Sequence, residues 1–185
     1  VPPMATWARP TVLALGASAL LSVAALGMVF VAQGESWMVR RTRTIPVSGE
    51  VLHRHLDDLE RFVVWQPRQA ADDPPTFTFS TPAVGVGAWV DAMRATSKTT
   101  TRLVSIDANR VRYSLENEGQ LGSGRSEVEV LLRPAPSGTE VEYVFTGKLA
   151  GWARLFWPVF RPRLRKQLGE SLEAALAELE RQATR

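Results

Sequence analysis

Residues 110–145 read RVRYSLENEGQLGSGRSEVEVLLRPAPSGTEVEYVF, and their period decides the fold. Val111, Tyr113 and Leu115 alternate with Arg110, Arg112 and Ser114. Val128, Val130 and Leu132 alternate with Glu127, Glu129 and Leu131, and Val141, Tyr143 and Phe145 with Glu140, Glu142 and Val144. A period of two places apolar side chains on one face of a strand and polar ones on the other. Gly119 to Gly124 and Pro136–Ser137–Gly138 are turn signals between these runs. The stretch therefore predicts an antiparallel meander with one wet and one apolar face.

Working outward, the same pattern extends toward the N-terminus. The turn Asp107–Ala108–Asn109 precedes the meander, and Phe77 and Phe79 alternate with threonines after Pro74–Pro75. Trp37 to Val47 reads as a further strand. Ser48 is the expected N-cap of a short helix carrying Val51, Leu52 and Leu56. A second short helix spans Asp58–Leu59–Glu60–Arg61–Phe62 and ends near Trp65–Gln66–Pro67. At the other end, Leu164, Leu168, Leu172, Leu176 and Leu179 recur at spacings of four and three, which predicts a long helix over Pro162 to Gln182. Pro162 suits a first-turn position. The order is α+β. An apolar sheet face must be covered, and the C-terminal stripe is the only long partner available for it.

The chain has 185 residues, 45% of them hydrophobic, and a formal net charge of +3. That length fits one ordinary domain plus an appendage. The absence of cysteine excludes disulfides, thiolate zinc sites and cysteine nucleophiles. The pI of about 9.8 reflects a small excess of arginine rather than a polybasic tail, so affinity for anionic surfaces in general is weak.

The appendage is residues 11–32, TVLALGASALLSVAALGMVFVA, an uncharged run bounded by Arg9 and Pro10 on one side and Gln33–Gly34–Glu35 on the other. About 20 apolar residues suffice to span a bilayer core as a helix. A cleavable signal peptide has a shorter apolar core, about 7–15 residues, and small residues before its cleavage site. Phe30–Val31–Ala32 departs from that pattern, and the reading is an uncleaved anchor. The organisation expected is a flank over 1–10, a transmembrane anchor over 11–33 and one domain over 37–185. Arg40, Arg41 and Arg43 on the domain side favour a cytoplasmic orientation by the positive-inside tendency. The same arginines also suit the solvent face of a strand.

The element order, with Asp58–Leu59–Glu60–Arg61–Phe62, Trp65–Gln66–Pro67 and Gly85–Val86–Gly87–Ala88, resembles the START-like helix-grip (SRPBCC) superfamily, in its polyketide cyclase/dehydrase-type branch. Asn109 to Leu115, Gly138–Thr139–Glu140–Val141, Gly147–Lys148–Leu149 and Leu168 to Glu173 add to the likeness. The resemblance covers Val39 to Ala183. It implies a curved antiparallel sheet wrapped around the long C-terminal helix, enclosing a cavity for a lipid-like, quinone-like or polyketide-like molecule. Alone, the apolar alternation reads more readily as a filled core; the resemblance turns it toward a cavity. The lining it implies is Phe77, Phe79, Trp89, Val111, Tyr113, Val130, Tyr143, Phe145, Leu168 and Leu172. Gly169, inside the apolar helix, marks either a close sheet crossing or room for a ligand.

Catalysis has less to stand on. His53 and His55 are two residues apart on a helix and face different directions. No three-ligand metal set is visible, and no cofactor is implied. A cyclase-like enzyme would use Tyr113 or Tyr143 as proton donor and Arg94 or Arg102 to hold an enolate. Gly85–Val86–Gly87 serves a turn rather than a phosphate loop, because no helix follows it. Between Gly151 and Lys166, Trp152, Phe156, Trp157 and Phe160 are interleaved with arginines. That mixture suits a membrane interface and equally a cavity lid. The acids Glu170, Glu173, Glu178 and Glu180 directly downstream argue against nucleic acid. The partners expected are an apolar small molecule and membrane lipids. Oligomeric state is not legible.

Overall fold

The computed structural model describes residues 36–66, 73–119, 122–148 and 153–185. Strand β1 (Ser36–Ile45) leads into helices α1 (Gly49–Leu56) and α2 (Leu59–Trp65). Strands β2 (Thr76–Phe79), β3 (Trp89–Met93), β4 (Ser97–Asp107), β5 (Arg110–Gly119), β6 (Gly122–Ala135) and β7 (Gly138–Lys148) follow, and helix α3 (Ala153–Ala183) closes the chain. The seven strands form one curved antiparallel sheet in the order β1-β7-β6-β5-β4-β3-β2. Strands β1, β2, β5, β6 and β7 stand where the sequence predicts them, and β3 and β4 complete the sheet. The α+β helix-grip architecture is present in the described residues. The anchor expected at 11–33 lies outside them, and no helix among them is long and apolar enough to cross a membrane.

Local chemistry sets the element ends. Ser48 occupies the N-cap of α1 with extended backbone, although its side chain makes no capping bond. Asp58 caps α2 in the ordinary way, its carboxylate accepting from the amides of Glu60 at 2.9 Å and Arg61 at 3.3 Å. Helix α3 differs from expectation: it begins at Ala153, not Pro162. Pro158 and Pro162 therefore sit inside its first three turns, where each removes one intrahelical hydrogen bond. In β4 the register shifts between Leu103 and Ser105. This bulge sends Val104 outward and returns Ile106 to the inner face.

The inner face of the sheet is organised in cross-strand rows. Val39, Phe145, Val128, Tyr113 and Leu103 form one, and Arg41, Tyr143, Val130, Val111 and Ile106 the next. Helix α2 fills the space above them. The Phe62 ring lies 4.4 Å from that of Tyr113, and Trp65 packs edge-on against Tyr143 at 6.0 Å. From α3, Leu172, Ala175, Leu176 and Leu179 complete the core. Burying each such side chain contributes about 1.5–3 kcal/mol, less for alanine, and this is the main term holding helix to sheet.

Candidate functional site

Exposure along the inner face is graded, and the gradient defines the site. The Tyr113 and Tyr143 rows are closed over at Leu103, Tyr113, Val128, Val111, Val130 and Tyr143, with Phe145 half-buried beside the opening. The next row toward the open end runs Trp37, Gly147, Ser126, Leu115, Thr101, Val90 and Phe79 across the whole sheet. Here Trp37, Ser126, Leu115 and Phe79 are only half-buried. Beyond it lie Asn117, Thr99, Ala92 and Phe77, the last with 40% of its surface exposed. Trp37 lies over Gly147 and tilts against Phe145 with ring centroids 5.1 Å apart, while Phe77 and Phe79 stand at 6.3 Å on the opposite wall. This end of the inner face, the trough, thus has aromatic side chains at its two edges and Gly147, Ser126, Leu115, Thr101 and Val90 between them.

The expected lining residues are distributed along this gradient. Val111, Tyr113, Val130 and Tyr143 lie on the inner face but deep, all at most 2% exposed, packed against protein. Leu172 packs there from α3. Phe77, Phe79, Phe145 and Leu168 lie toward the open end. Trp89 is not with them: Val90 takes the inner face, and Trp89 pairs with Arg102 on the outer one. Trp37, Thr99, Leu115 and Ser126 belong to the trough without being among the residues expected there. The signal for Trp37 is its parity with Val39 in β1; Thr99 and Ser126 offer none beyond register. The expected lid residue Trp152 lies outside the described residues, as do the side chains of Phe156, Trp157 and Phe160.

The polar groups are committed to structure. The buried Tyr113 hydroxyl donates to the carbonyl of Leu56, and burial pushes its pKa well above the ordinary tyrosine value. Tyr143 shares hydrogen bonds with the Gln66 side chain, and burial raises its pKa too. Neither phenol ionises at neutral pH. Arg102 lies on the outer face, where its Nη1 donates to Gly87 O at 3.1 Å, so it is not brought to either tyrosine. His53 bonds Ala108 O at 2.8 Å on the surface. No three metal-ligating side chains cluster among the described residues. A depression of about 500 Å³ lies on the outer face beside Arg102, Arg112, Arg125, Glu116, Glu127 and Glu129. Its charged rim, with Arg125 paired to Glu116, surrounds apolar surface from Met38, Val104 and Val144.

The arginines of β1 are also paired within the domain. Arg41 and Arg43 point to α3 and pair with Glu173 and Glu180, each at 2.6 Å, and Arg40 pairs with Glu142 at 2.8 Å. Gly169 is a close crossing: a Cβ there would run into the Arg41 guanidinium.

A sheet gripping a long helix with an open apolar trough defines a class of small-molecule-binding folds. Residues 36–184 match the family of polyketide cyclases/dehydrases and lipid-transport proteins, and the chain belongs to that family. The family is associated with binding hydrophobic small molecules. No curated protein sequence matches. Among solved structures, a protein from Thermus thermophilus is similar at 21% identity and TM-score 0.60, over 80% of this chain and 97% of that one. A putative uncharacterized protein from Rhizobium leguminosarum is similar at 16% identity and TM-score 0.59, over 81% and 95%. A putative protein in the dynemicin biosynthetic locus aligns at 14% identity and TM-score 0.51, over 80% of this chain and 47% of that one. At such identities the likeness concerns the fold alone.

Proposed function

We propose that this chain binds a lipid-like, quinone-like or polyketide-like molecule in the inner trough and carries or senses it at a membrane. One observation carries the reading: the inner face is closed over Val111, Tyr113, Val128, Val130 and Tyr143 yet leaves Trp37, Leu115 and Phe79 half-buried and Phe77 exposed at one end. A domain built only for stability gains nothing from aromatic side chains left wet on its core face. A ligand covering about 300 Å² of apolar surface there would gain roughly 7 kcal/mol before association costs.

The tether is part of the proposal. Residues 11–33 carry it, and β1 starts at Ser36, so the domain would sit against the bilayer it draws from. Trp152, Phe156, Trp157 and Phe160 are the proposed gate. Orientation is set during insertion, before Arg40, Arg41 and Arg43 find their partners, so their count still favours the cytoplasmic side. A cyclase- or dehydratase-type enzyme is the second reading, favoured by the family description; the commitment of Tyr113 to the Leu56 carbonyl weighs against that residue as its proton donor.

Native mass spectrometry of the full chain released from nanodiscs tests the proposal. A discrete adduct that fragments to an apolar compound is expected. A clean apo mass after incubation with lipid, quinone and polyketide extracts would overturn it.

A further inference from the structure

The geometry points to a docking site for anionic phospholipid on the first half of α3, formed by Arg161, Arg163 and Arg165 with Lys166 beside them. The inference rests on the proposed tether and names what the tethered domain faces. All four side chains are exposed, whereas Leu164 is half-buried and Leu168 packs against the core. Residues 161–167, RPRLRKQ, contain four cations and no acid. The helix has no acid in its first turn either, although acids there would suit the helix dipole. Downstream the acids are engaged: Glu170 with Lys166 at 4.0 Å, Glu173 with Arg41, Glu180 with Arg43 and Glu178 with Arg181. The helix is thus divided: from Lys166 onward its charges meet partners, while Arg161, Arg163 and Arg165 lie exposed in a stretch without acids.

Position supplies the occupant. Glu173 meets Arg41 and Glu180 meets Arg43, so α3 and β1 run in the same direction. Trp37 lies four residues before Arg41, about 14 Å at strand rise. From Gly169–Glu173, the same distance back along α3 is about nine residues at 1.5 Å each, which reaches Arg161–Arg163. Arg161 and Arg163 therefore lie about level with Trp37, with Arg165 and Lys166 within the next turn, at the end of the domain where β1 begins and where the trough opens. An anionic lipid surface is the partner whose charge matches and whose position the preceding apolar segment would fix. Each basic side chain near such a surface contributes a roughly fivefold gain in association.

The test is hydrogen–deuterium exchange of peptides covering 161–168, with the full chain in nanodiscs of phosphatidylcholine alone or with 30% phosphatidylglycerol. Exchange is expected to slow at least fivefold with phosphatidylglycerol. The slowing should vanish in 0.5 M NaCl and in the Arg161→Gln, Arg163→Gln, Arg165→Gln, Lys166→Gln variant. Equal exchange in both discs overturns the site, as does a chain recovered outside the discs in both compositions. Equal slowing by inorganic phosphate in phosphatidylcholine discs also overturns it, by assigning the cations to a free anion. Ligand adducts read on the same samples separate the two ideas. Adducts without slowing leave the trough standing and remove the docking site; slowing without adducts does the reverse.

Discussion

Gly169 of α3 lies directly against the Arg41 guanidinium, close enough that a Cβ at Gly169 would have to displace it. The missing side chain lets Arg41 cross from the inner face of β1 to Glu173 at 2.6 Å. Glycine inside a helix costs about 1 kcal/mol relative to alanine, and a half-exposed ion pair returns up to about the same. The two should therefore be coupled. Gly169→Ala alone is expected to change stability by less than about 0.5 kcal/mol, because the higher helix propensity of alanine offsets the disrupted Arg41–Glu173 pair. In an Arg41→Ala background the same substitution should stabilise by about 1 kcal/mol. Urea denaturation of the four proteins closes the cycle; equal effects in both backgrounds would show the crossing to be irrelevant.

Gly147 poses the same question with a stiffer neighbour. A Cβ at this position would enter the Trp37 indole, which cannot fold away as an arginine tip can. Gly147→Ala is expected to eject Trp37 from Phe145 and cost about 1–3 kcal/mol, the range for overpacking. Tryptophan fluorescence should shift toward the red, and ligand loading should fall with it. Unchanged emission with unchanged stability would mean that Trp37 has another place to go.

How far these features are legible in the sequence depends on register. Period two in 110–145 carries three strands and their turns because charge and apolarity alternate there without interruption. In Trp89–Val90–Asp91–Ala92–Met93 both parities carry apolar residues, so the larger Trp89 reads as the inward one. Only pairing of Phe79 with Val90 shows otherwise. Thr99, Thr101 and Ser126 read as wet-face residues, and the antiparallel register alone brings them under the aromatics. The start of α3 is hidden because Pro162 is as good a first-turn signal as any, and nothing local says that the helix is already three turns long. The Arg41–Gly169 crossing joins residues 128 positions apart, a distance over which no sequence period speaks.

If the trough takes a ligand, filling it should compete. Leu115 is half-buried between Ser126 and Thr101, at the edge of the core where part of its surface stays open. Leu115→Trp is expected to reduce loading tenfold or more while moving the melting temperature by only a few degrees. Val130→Trp, at a position with no exposed surface, should instead unfold the domain. Retained loading in Leu115→Trp would place the ligand elsewhere.

Acid should weaken the fold through His55. Burial, then Arg61 and Arg54, lower its pKa below the ordinary 6.5, so the folded chain binds this proton less readily than the unfolded one. The sign follows by linkage: the contribution is complete above pH 6.5 and is lost as pH falls through the folded value. The urea midpoint is expected to drop between pH 7 and pH 5, and to drop less in His55→Gln. Parallel profiles would assign the acid sensitivity to other groups.

Glu142 is the charged residue the domain can least spare. Its side chain is 5% exposed on the outer face, held by Arg40 at 2.8 Å and Arg133 at 2.9 Å. Both arginines are more than half exposed, so they can rehydrate if the acid is removed, which limits the loss to the bonds themselves. Glu142→Gln is expected to destabilise by about 1.5–3 kcal/mol, the range for hydrogen bonds to a charged group. Raising NaCl to 0.5 M should leave most of that difference in place, because a buried carboxylate is poorly screened. The control is Arg125→Gln, which breaks the exposed Arg125–Glu116 pair and should cost less than about 0.5 kcal/mol. A Glu142→Gln effect that disappears in salt would mean the carboxylate is held by long-range attraction, with the two arginines hydrated as surface side chains.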